Sequence, residues 1–379
     1  MKGDTSDFMT LLKEKASALY EAVTHVVDAS ALVLGSEYSG YIFPEVYDPS
    51  MGAVANAVVI DFESDAIYAI CNPLQAPAVQ DNYPNVKVLV IDPLERVDIG
   101  LPTFKSDVDA LMNAVGSHRI VAYAGKVPQP RGTEVTMIGV EPIVRIVRMQ
   151  KLDEEVKRIK IAIEIAENAL SNVLSEIAIG DSEVDIARKI VNEILKLGGD
   201  GEAFKTIVAI GKASREPHHV PSRRYKFDGG EPILVDFGAS FLGYRSDITR
   251  MIVPKRVSDK YSDITKVVEA VSRSIDEALR HLKPGVEAKD VFEEARRVLE
   301  IEGDLDKQFL HGLGHGIGVE VHEEPYLSPR WDGKVLEGCV VTIEPGIYLE
   351  DFGVRIEEDV LVSEGGCIKL TKLERVLEL

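Results

Sequence analysis

Cysteine, tryptophan and long apolar runs are scarce in this sequence of 379 residues. Its three cysteines, Cys71, Cys339 and Cys367, are odd in number and have no C-x-x-C spacing, which predicts reduced thiols in a cytoplasmic protein. No segment approaches the roughly 20 consecutive apolar residues of a membrane-spanning helix, and the polar first residues lack the apolar core of a signal peptide. These absences exclude a disulfide-stabilised secreted scaffold and predict no association with a membrane.

Positive charge is also in deficit. Lysine and arginine number 43 against 63 aspartate and glutamate residues, so the formal net charge is −20. A surface of this charge would repel a phosphate backbone almost everywhere, and nucleic acid is therefore not an expected partner. With 45% hydrophobic and 28% charged residues, the composition is that of a globular protein long enough for one large domain or two ordinary ones.

Residues 1–150 carry the alternating helical and strand patterns of a small α/β domain. Apolar spacing predicts one helix from Asp4 to Val27 and another over residues 104–115. Short apolar runs bounded by turn residues predict strands over residues 31–34, 53–61, 67–71, 86–91 and 120–123.

A different pattern begins near residue 151, where apolar residues three and four apart predict a long amphipathic helix over residues 152–179. Gly180 ends this helix, and Asp181 or Ser182 can cap the next one. Two more helices are predicted over residues 259–282 and 289–301, with strand-and-turn segments between and after them. The sequence thus predicts an α+β domain over residues 151–379.

Five side chains in this second domain stand out because glycine or apolar residues flank each of them. They are Asp236, Asp247, His315, Glu344 and Glu357. All five lie on segments with the pattern of strands or tight turns. Four carboxylates brought together would repel one another unless cations lay between them. This set of donors, rich in oxygen and with a single nitrogen, predicts the site of a two-metal hydrolase.

The first two carboxylates lie on a predicted hairpin. A two-residue or four-residue turn centred between Phe241 and Leu242 would place Asp236 directly opposite Asp247, with Cβ atoms about 5 Å apart. At that distance the repulsion is roughly 3 kcal/mol for an effective dielectric constant near 20. The alternative, two solvated surface aspartates, fits poorly with the apolar run before Asp236. The pair therefore favours a bound cation.

A second acidic pair follows near the end of the chain. Symmetric pairing about the turn at Glu350-Asp351 would set Glu344 against Glu357. Strand alternation places Arg355 on the same face as Glu357, where its guanidinium is predicted to orient that carboxylate. Glu358 points to the opposite face and is predicted to be structural.

The single imidazole of the set, His315, lies in a glycine-rich run that allows close approach of the backbone. His311 precedes it by four residues, but the residue after His311 is Gly312 rather than glutamate, which excludes a helical zincin motif. One imidazole among carboxylates favours Mn²⁺, Fe²⁺, Co²⁺ or Zn²⁺ in an open catalytic site.

These segments together resemble the pita-bread metallopeptidases, which include Xaa-Pro dipeptidase (prolidase), aminopeptidase P and methionine aminopeptidase. The motifs span about residues 206–360, in order: Pro217-His218, Val235-Asp236-Phe237-Gly238, Ser246-Asp247-Ile248-Thr249-Arg250, residues 311–325, Ile343-Glu344-Pro345-Gly346 and Gly353-Val354-Arg355-Ile356-Glu357. The resemblance implies a pita-bread catalytic domain over residues 151–379. Residues 1–150 resemble, more weakly, the creatinase/prolidase-type leading domain.

The resemblance also implies a role for each ligand. Asp236 would be a terminal ligand of one metal ion, His315 and Glu344 would bind the other, and Asp247 and Glu357 would bridge the two.

Further roles come from the same resemblance. Glu344 would in addition accept the proton of the attacking water. His218, His311 and His322 would handle substrate, and His218 and His322 would also take part in catalysis. Arg355 would support the substrate site. His219 has no implied role, and a surface position is expected for it.

Xaa-Pro dipeptidase is the main functional expectation, with short proline-containing peptides as substrates and two divalent metal ions as cofactor. Aminopeptidase P, acting on longer peptides, is the alternative, and a homodimer is implied for either. The leading domain disfavours a plain methionine aminopeptidase. A non-catalytic pita-bread binding protein and a metal-free creatinase-like hydrolase are disfavoured because all five ligands are present.

Overall fold

The computed structural model describes residues 5–94, 96 and 98–379, and the chain divides into two compact units, Met1–Arg148 and Met149–Leu379. Asp4, the first residue of the predicted N-terminal helix, lies outside the described residues. In the described part of the chain, no helix has the length and apolar character needed to cross a membrane.

The first unit is built on one seven-stranded mixed sheet. Its strands are β1 (Ala31–Gly35), β2 (Ala57–Asp61), β3 (Ala66–Cys71), β4 (Lys87–Ile91), β5 (Thr103–Phe104), β6 (Ile120–Ala124) and β7 (Thr136–Gly139). They are ordered β5-β4-β3-β2-β1-β6-β7. Every residue of β1 and β2 is buried, which explains why these two strands are apolar at nearly every position.

The helices that accompany this sheet are α1 (Thr5–Thr24), α2 (Ser39–Ile42), α3 (Ala76–Asn82), α4 (Asp107–Val115) and α5 (Glu141–Met149). Ser106 caps α4 by accepting a hydrogen bond from the backbone N–H of Asp109. The predicted α1, α4 and strands β1 to β4 and β6 are present, with ends shifted by a few residues. The short β5, β7, α2 and α3 were not predicted, because none is long enough to show a clear period. The helix α5 was not predicted either, although it is as long as α4.

The second unit contains four long helices and fourteen short strands. The helices are α6 (Asp153–Leu174), α7 (Glu183–Lys196), α8 (Ile264–His281) and α9 (Ala288–Ile301). The strands are β8 (Gly201–Glu202), β9 (Ile207–Ile210), β10 (Ile233–Phe237), β11 (Ala239–Phe241), β12 (Tyr244–Arg245), β13 (Ile248–Val253), β14 (Gly314–Gly316), β15 (Glu323–Leu327), β16 (Val340–Ile343), β17 (Gly346–Tyr348), β18 (Gly353–Arg355), β19 (Glu358–Ser363), β20 (Gly366–Lys369) and β21 (Val376–Glu378).

In this unit one of the two predicted caps is present, and one predicted helix end is corrected. Ser182, not Asp181, caps α7, since its hydroxyl accepts from the backbone N–H of Asp185. The helix α6 ends at Leu174 rather than residue 179, because the chain enters a turn in which the N–H of Glu176 bonds to the carbonyl of Val173.

Two sheets of the second unit supply the strands that matter for the site. One has the order β21-β13-β10-β9 and the other the order β15-β14-β16-β19-β20. Apolar side chains of both sheets and of α8 and α9 form one large core. This core fixes the strands from which the predicted ligands project.

Candidate metal centre

Asp236 lies on β10 and Asp247 directly before β13, but they are not opposite each other. The ladder pairs Asp236 with Thr249, and the β11–β12 pairing of Phe241 with Tyr244 leaves a two-residue turn. The predicted direct opposition of the two aspartates is therefore wrong by two residues. Asp247 instead lies diagonally across the hairpin from Asp236.

The displaced register has a local cause in the turn at Leu242 and Gly243. Both residues have positive φ, 47° and 79°, as a type I′ hairpin turn requires. A leucine rarely adopts this conformation, so the residue types at this turn did not indicate it. The carboxylate of Asp200 stabilises the turn by accepting the N–H of Leu242 at 2.6 Å.

Glu344 and Glu357 keep the predicted pairing. On one side of them Ile343 pairs with Glu358, and on the other Gly346 pairs with Arg355. The two ladders share one register, which places Glu344 opposite Glu357 across the break that Pro345 introduces.

His315 lies at the centre of β14, where the backbone comes very close to its neighbours. A Cβ atom on Gly314 would lie 2.0 Å from the carbonyl oxygen of Thr342, and one on Gly316 would lie 2.3 Å from that of Glu324. The close approach predicted from the glycines is thus confirmed. The Nδ1 atom of His315 lies 3.2 Å from the carbonyl of Gly316, which turns Nε2 toward the carboxylates.

All five predicted ligands line one cavity of about 410 Å³. The Nε2 atom of His315 is 3.3 Å from Oε1 of Glu344 and 3.8 Å from Oδ2 of Asp247. Donor atoms of Asp247, His315 and Glu357 all lie within 4.8 Å of one another. His218, His311, His322 and Arg355 line the same cavity.

Burial and mutual repulsion dominate the electrostatics of this centre. Burial, followed by the charges of neighbouring carboxylates, raises the pKa of Asp247 and that of Glu357 well above their ordinary values. Burial also raises the pKa of Asp236, although Arg355 opposes the change. For Glu344 the effect of burial is outweighed by the hydrogen bond and charge of His315, which hold its pKa at about 2.

Arg355 contacts a different carboxylate from the one predicted. Its Nη2 atom donates to Oδ2 of Asp236 at 2.6 Å, and no hydrogen bond or ion pair joins it to Glu357 in the described part of the chain. Its Nη1 atom donates to the hydroxyl of Tyr348 at 2.7 Å. The prediction that Arg355 orients Glu357 is wrong, because Thr249 fills that position and donates to Oε2 of Glu357 at 2.8 Å.

The donor set fits divalent cations. The Oδ1 atom of Asp236 is buried and has no hydrogen-bond partner among the described residues, although such an acceptor is costly to leave unpaired. Of the described side chains that line the cavity, four are carboxylates and only Arg355 carries a permanent positive charge. Cations held between these oxygens and the Nε2 atom of His315 would satisfy both the orphan acceptor and the repulsion.

The three predicted substrate histidines surround the ligands. The Nε2 atom of His311 lies 2.8 Å from the hydroxyl of Tyr348, and burial lowers the pKa of His311. The ring centroid of His322 lies 4.2 Å from that of His315, and burial together with the charge of His315 lowers the pKa of His322. His218 is exposed at the rim of the cavity.

Three buried residues near the site, His219, Glu183 and Asp359, were not predicted from the sequence. His219 is buried, not at the surface as predicted, and its Nε2 atom lies 2.8 Å from Oε2 of Glu183. Asp359 accepts the backbone N–H of Asp247 at 3.2 Å, and burial raises its pKa to about 8. Strand alternation from Glu357 would have placed Asp359 on the ligand face. No local pattern connects His219 with Glu183, 36 residues earlier.

Comparisons with known proteins agree with this geometry. The model of metallopeptidase family M24 matches residues 157–364. An Xaa-Pro dipeptidase of Pyrococcus furiosus is 40% identical over 241 residues, which are 63% of this chain and 67% of that protein.

Two solved structures extend the likeness over nearly the whole chain. An Xaa-Pro dipeptidase from Bacillus anthracis superposes with a TM-score of 0.78 at 26% identity, covering 97% of this chain and 100% of that one. An X-Pro aminopeptidase from Thermotoga maritima gives 0.76 at 29% identity, covering 95% and 100%. The predicted pita-bread fold is confirmed, and the chain belongs to metallopeptidase family M24 and is a peptidase.

Proposed function

We propose that this peptidase is an Xaa-Pro dipeptidase that uses two divalent cations to hydrolyse short peptides before proline. The observation that supports this proposal most directly is the convergence of five metal-type donors and three histidines on one cavity. Similarity to the Xaa-Pro dipeptidase of Pyrococcus furiosus supports the choice of substrate.

In this proposal Asp236, Asp247, His315, Glu344 and Glu357 hold two ions of Mn²⁺, Co²⁺, Fe²⁺ or Zn²⁺. Ions bound there would lower the pKa of a water molecule and polarise the scissile carbonyl. The oxygen-rich donor set with a single imidazole is the reason for this choice of metals.

Glu344 is the proposed proton acceptor. Its carboxylate is ionised at neutral pH, as a proton acceptor must be, and in this role it would take a proton from the attacking water and return it to the leaving nitrogen. The leaving group of an Xaa-Pro bond is a ring nitrogen without an N–H, so it must gain this proton before it departs.

The histidines act on the substrate as neutral imidazoles. Lowered pKa values keep His311 and His322 uncharged at neutral pH, which allows each to donate one hydrogen bond and accept another. We assign to His322 a hydrogen bond that stabilises the developing oxyanion, and to His218 and His311 the recognition of proline. Arg355 supports the substrate site by fixing Asp236.

Aminopeptidase activity on longer peptides is the second candidate, and one observation favours it. Among the described residues that line the cavity, Arg355 is the only one with a permanent positive charge, and its guanidinium already binds Asp236 and Tyr348. The carboxylate of an Xaa-Pro dipeptide would therefore meet imidazoles instead of an available guanidinium. A longer peptide carries this charge farther from the scissile bond.

The first experiment compares hydrolysis of Met-Pro with that of Arg-Pro-Pro by the full chain loaded with Mn²⁺ or Co²⁺. The Asp247→Ala variant is the control for metal-dependent cleavage. Cleavage of the dipeptide alone would establish the dipeptidase, and preference for the tripeptide would establish the aminopeptidase. Absence of metal-dependent cleavage of both would refute the Xaa-Pro proposal and favour a binding protein of the same fold.

The proposal includes three properties of the whole protein. Residues 1–150 act as a creatinase/prolidase-type leading domain, two copies form a homodimer, and the protein works in the cytoplasm, where its free cysteines stay reduced. Light scattering of the purified chain tests the dimer, which a monomeric mass of 41.6 kDa would exclude.

A further inference from the structure

The loop over residues 216–222 carries the exposed His218, and the residue after it, His219, is buried and hydrogen-bonded to the body of the second unit. His219 has only 7% of its surface exposed. Its Nε2 atom lies 2.8 Å from Oε2 of Glu183, and its Nδ1 atom lies 3.3 Å from Oε2 of Glu216. The hydrogen bond to Glu183 is the main cause that raises the pKa of His219, as expected for an imidazolium beside a carboxylate.

Glu183 joins this loop to two rigid elements. It is the first residue of α7 and is fully buried. Its Oε1 atom accepts the backbone N–H of Ile210 at the end of β9, at 2.9 Å. Its Oε2 atom accepts the N–H of Ser222 at 2.9 Å in addition to the bond with His219. Through this one carboxylate, the helix α7 is joined to the strand β9 and to the loop at His219 and Ser222.

The residue before His218, Pro217, is hydrogen-bonded to a side chain of the candidate metal centre. The carbonyl of Pro217 accepts a hydrogen bond from Nη1 of Arg355 at 3.2 Å, and Arg355 holds Asp236. Among the described residues no hydrogen bond reaches the ring of His218 itself. The position of this imidazole thus depends on its two neighbours in the chain, Pro217 and His219.

We infer that His219 and Glu183 are positioning residues, which fix the backbone beneath His218 and hold its imidazole over the cavity. Among the described residues no hydrogen bond joins either of them to a proposed metal ligand, and they act through His218. The kinetic part of this inference rests on the proposed Xaa-Pro peptidase function.

A double-mutant cycle tests whether the anchor acts through His218. In the metal-loaded full chain, His219→Ala should lower kcat/KM for the better Xaa-Pro substrate by about tenfold or more, because small displacements of catalytic groups are costly. In the His218→Ala background the same change should cost less than about twofold, since its target is missing. Equal losses in both backgrounds would overturn the inference.

Two further variants separate positioning from a general effect on folding. His219→Gln keeps a side-chain N–H donor for Glu183 and should recover most of the lost activity. His118→Ala removes a comparable buried contact in the first unit, where Nε2 of His118 lies 3.1 Å from Oδ1 of Asp61, and should leave activity unchanged. A His219→Gln variant as impaired as His219→Ala would contradict the proposed hydrogen bond.

A measurement made without substrate tests the positioning role of His219 separately from the proposed Xaa-Pro peptidase function. In protein labelled with ¹³C at histidine, the imidazole resonance of His218, assigned from the His218→Ala variant, should shift or broaden in His219→Ala but not in His118→Ala. An unchanged His218 resonance would overturn the positioning role whichever substrate the enzyme uses. A wild type that cleaves no Xaa-Pro peptide while this resonance responds would refute the proposed function alone.

Discussion

Replacing Asp247 with asparagine should stabilise the metal-free protein and destabilise the metal-loaded one. Asp247 is buried, and its ionised form is opposed first by burial and then by Glu357, Asp236 and Glu344. Asparagine has nearly the same shape and no charge. Without metal, the substitution therefore removes a cost that the folded state bears.

The size of this effect has an upper limit that is independent of how far the pKa rises. In the folded protein the buried carboxyl group can bind a proton instead of bearing a charge. For a group with an ordinary pKa of 3.8, this protonation costs about 4 kcal/mol at pH 7, which is the largest destabilisation that the buried carboxylate can cause. We therefore expect Asp247→Asn to raise the free energy of unfolding by about 2–4 kcal/mol in EDTA at pH 7. Because the folded pKa is raised, the cost of the wild-type carboxylate grows as pH rises above 3.8, and the gain should vanish near pH 4.

Bound metal should make the wild type more stable than the Asp247→Asn variant. Ions bound only by the folded wild type add RT ln(1 + [L]/Kd), about 4.1 kcal/mol at a thousandfold excess over Kd, which exceeds the advantage of the variant in EDTA, and the variant should lose most of this gain. Urea denaturation in EDTA and in Mn²⁺ measures both effects. Asp351→Asn, which changes an exposed carboxylate, is the control and should shift neither curve. An Asp247→Asn protein less stable than wild type in EDTA would refute the argument from repulsion.

Three more residues lead to specific expectations. Glu344→Gln should lower kcat by about 10²–10⁴-fold with a smaller change in KM, and the comparison is valid only at equal metal content, measured by mass spectrometry. Arg250→Met should cost about 1.5–3 kcal/mol in urea denaturation, because it removes a charge-assisted hydrogen bond of 3.0 Å from the buried carboxylate of Glu358, which keeps its contacts with Arg375 and Lys369; a loss below about 0.5 kcal/mol would contradict this. Burial raises the pKa of the Cys71 thiol to about 12, so the contribution of this thiol to stability should be constant below pH 9 and fall between pH 9 and 12, and Cys71→Ala should remove that part of the fall in stability. Cys71 should also react with iodoacetamide far more slowly than the half-buried Cys367.

The proposed ligand set could be predicted from the sequence because side chains in short strands alternate with a period of two. Glu344 and Glu357 follow directly from symmetric pairing about one acidic turn, and the ladders on both sides have that register. The first hairpin failed because its turn places Leu242 at a φ of 47°, a conformation that the residue type does not indicate. A register shifted by two residues keeps each side chain on its face, so both aspartates still reach the cavity.

Partners from other sheets could not be predicted. Strand alternation indicated the face of Arg355 but not the neighbour across it, and the guanidinium binds Asp236 on a different sheet, 119 residues away. The same limit applies to His219, whose burial depends on Glu183 at the start of α7. Periodicity predicts which way a side chain points, whereas the packing of separate elements decides what it meets.

The strands that carry the ligands also carry the groups that support them. In the β16–β19 ladder Thr342 pairs with Asp359, two residues from Glu344 and Glu357 and on the same face. The hydroxyl of Thr342 accepts a hydrogen bond from the backbone N–H of His315 at 3.1 Å. The carboxylate of Asp359 accepts one from the backbone N–H of Asp247.

The opposite face of the same ladder serves the core. Ile343 packs in the large apolar cluster of the second unit, and Glu358 forms its buried ion pair with Arg250. One register therefore sets two proposed metal ligands, the backbone positions of two more and a buried structural ion pair. A slip of one residue in this pairing would exchange the two faces and lose all of them at once, so the stability of the core and the geometry of the metal centre depend on the same hydrogen-bonded ladder.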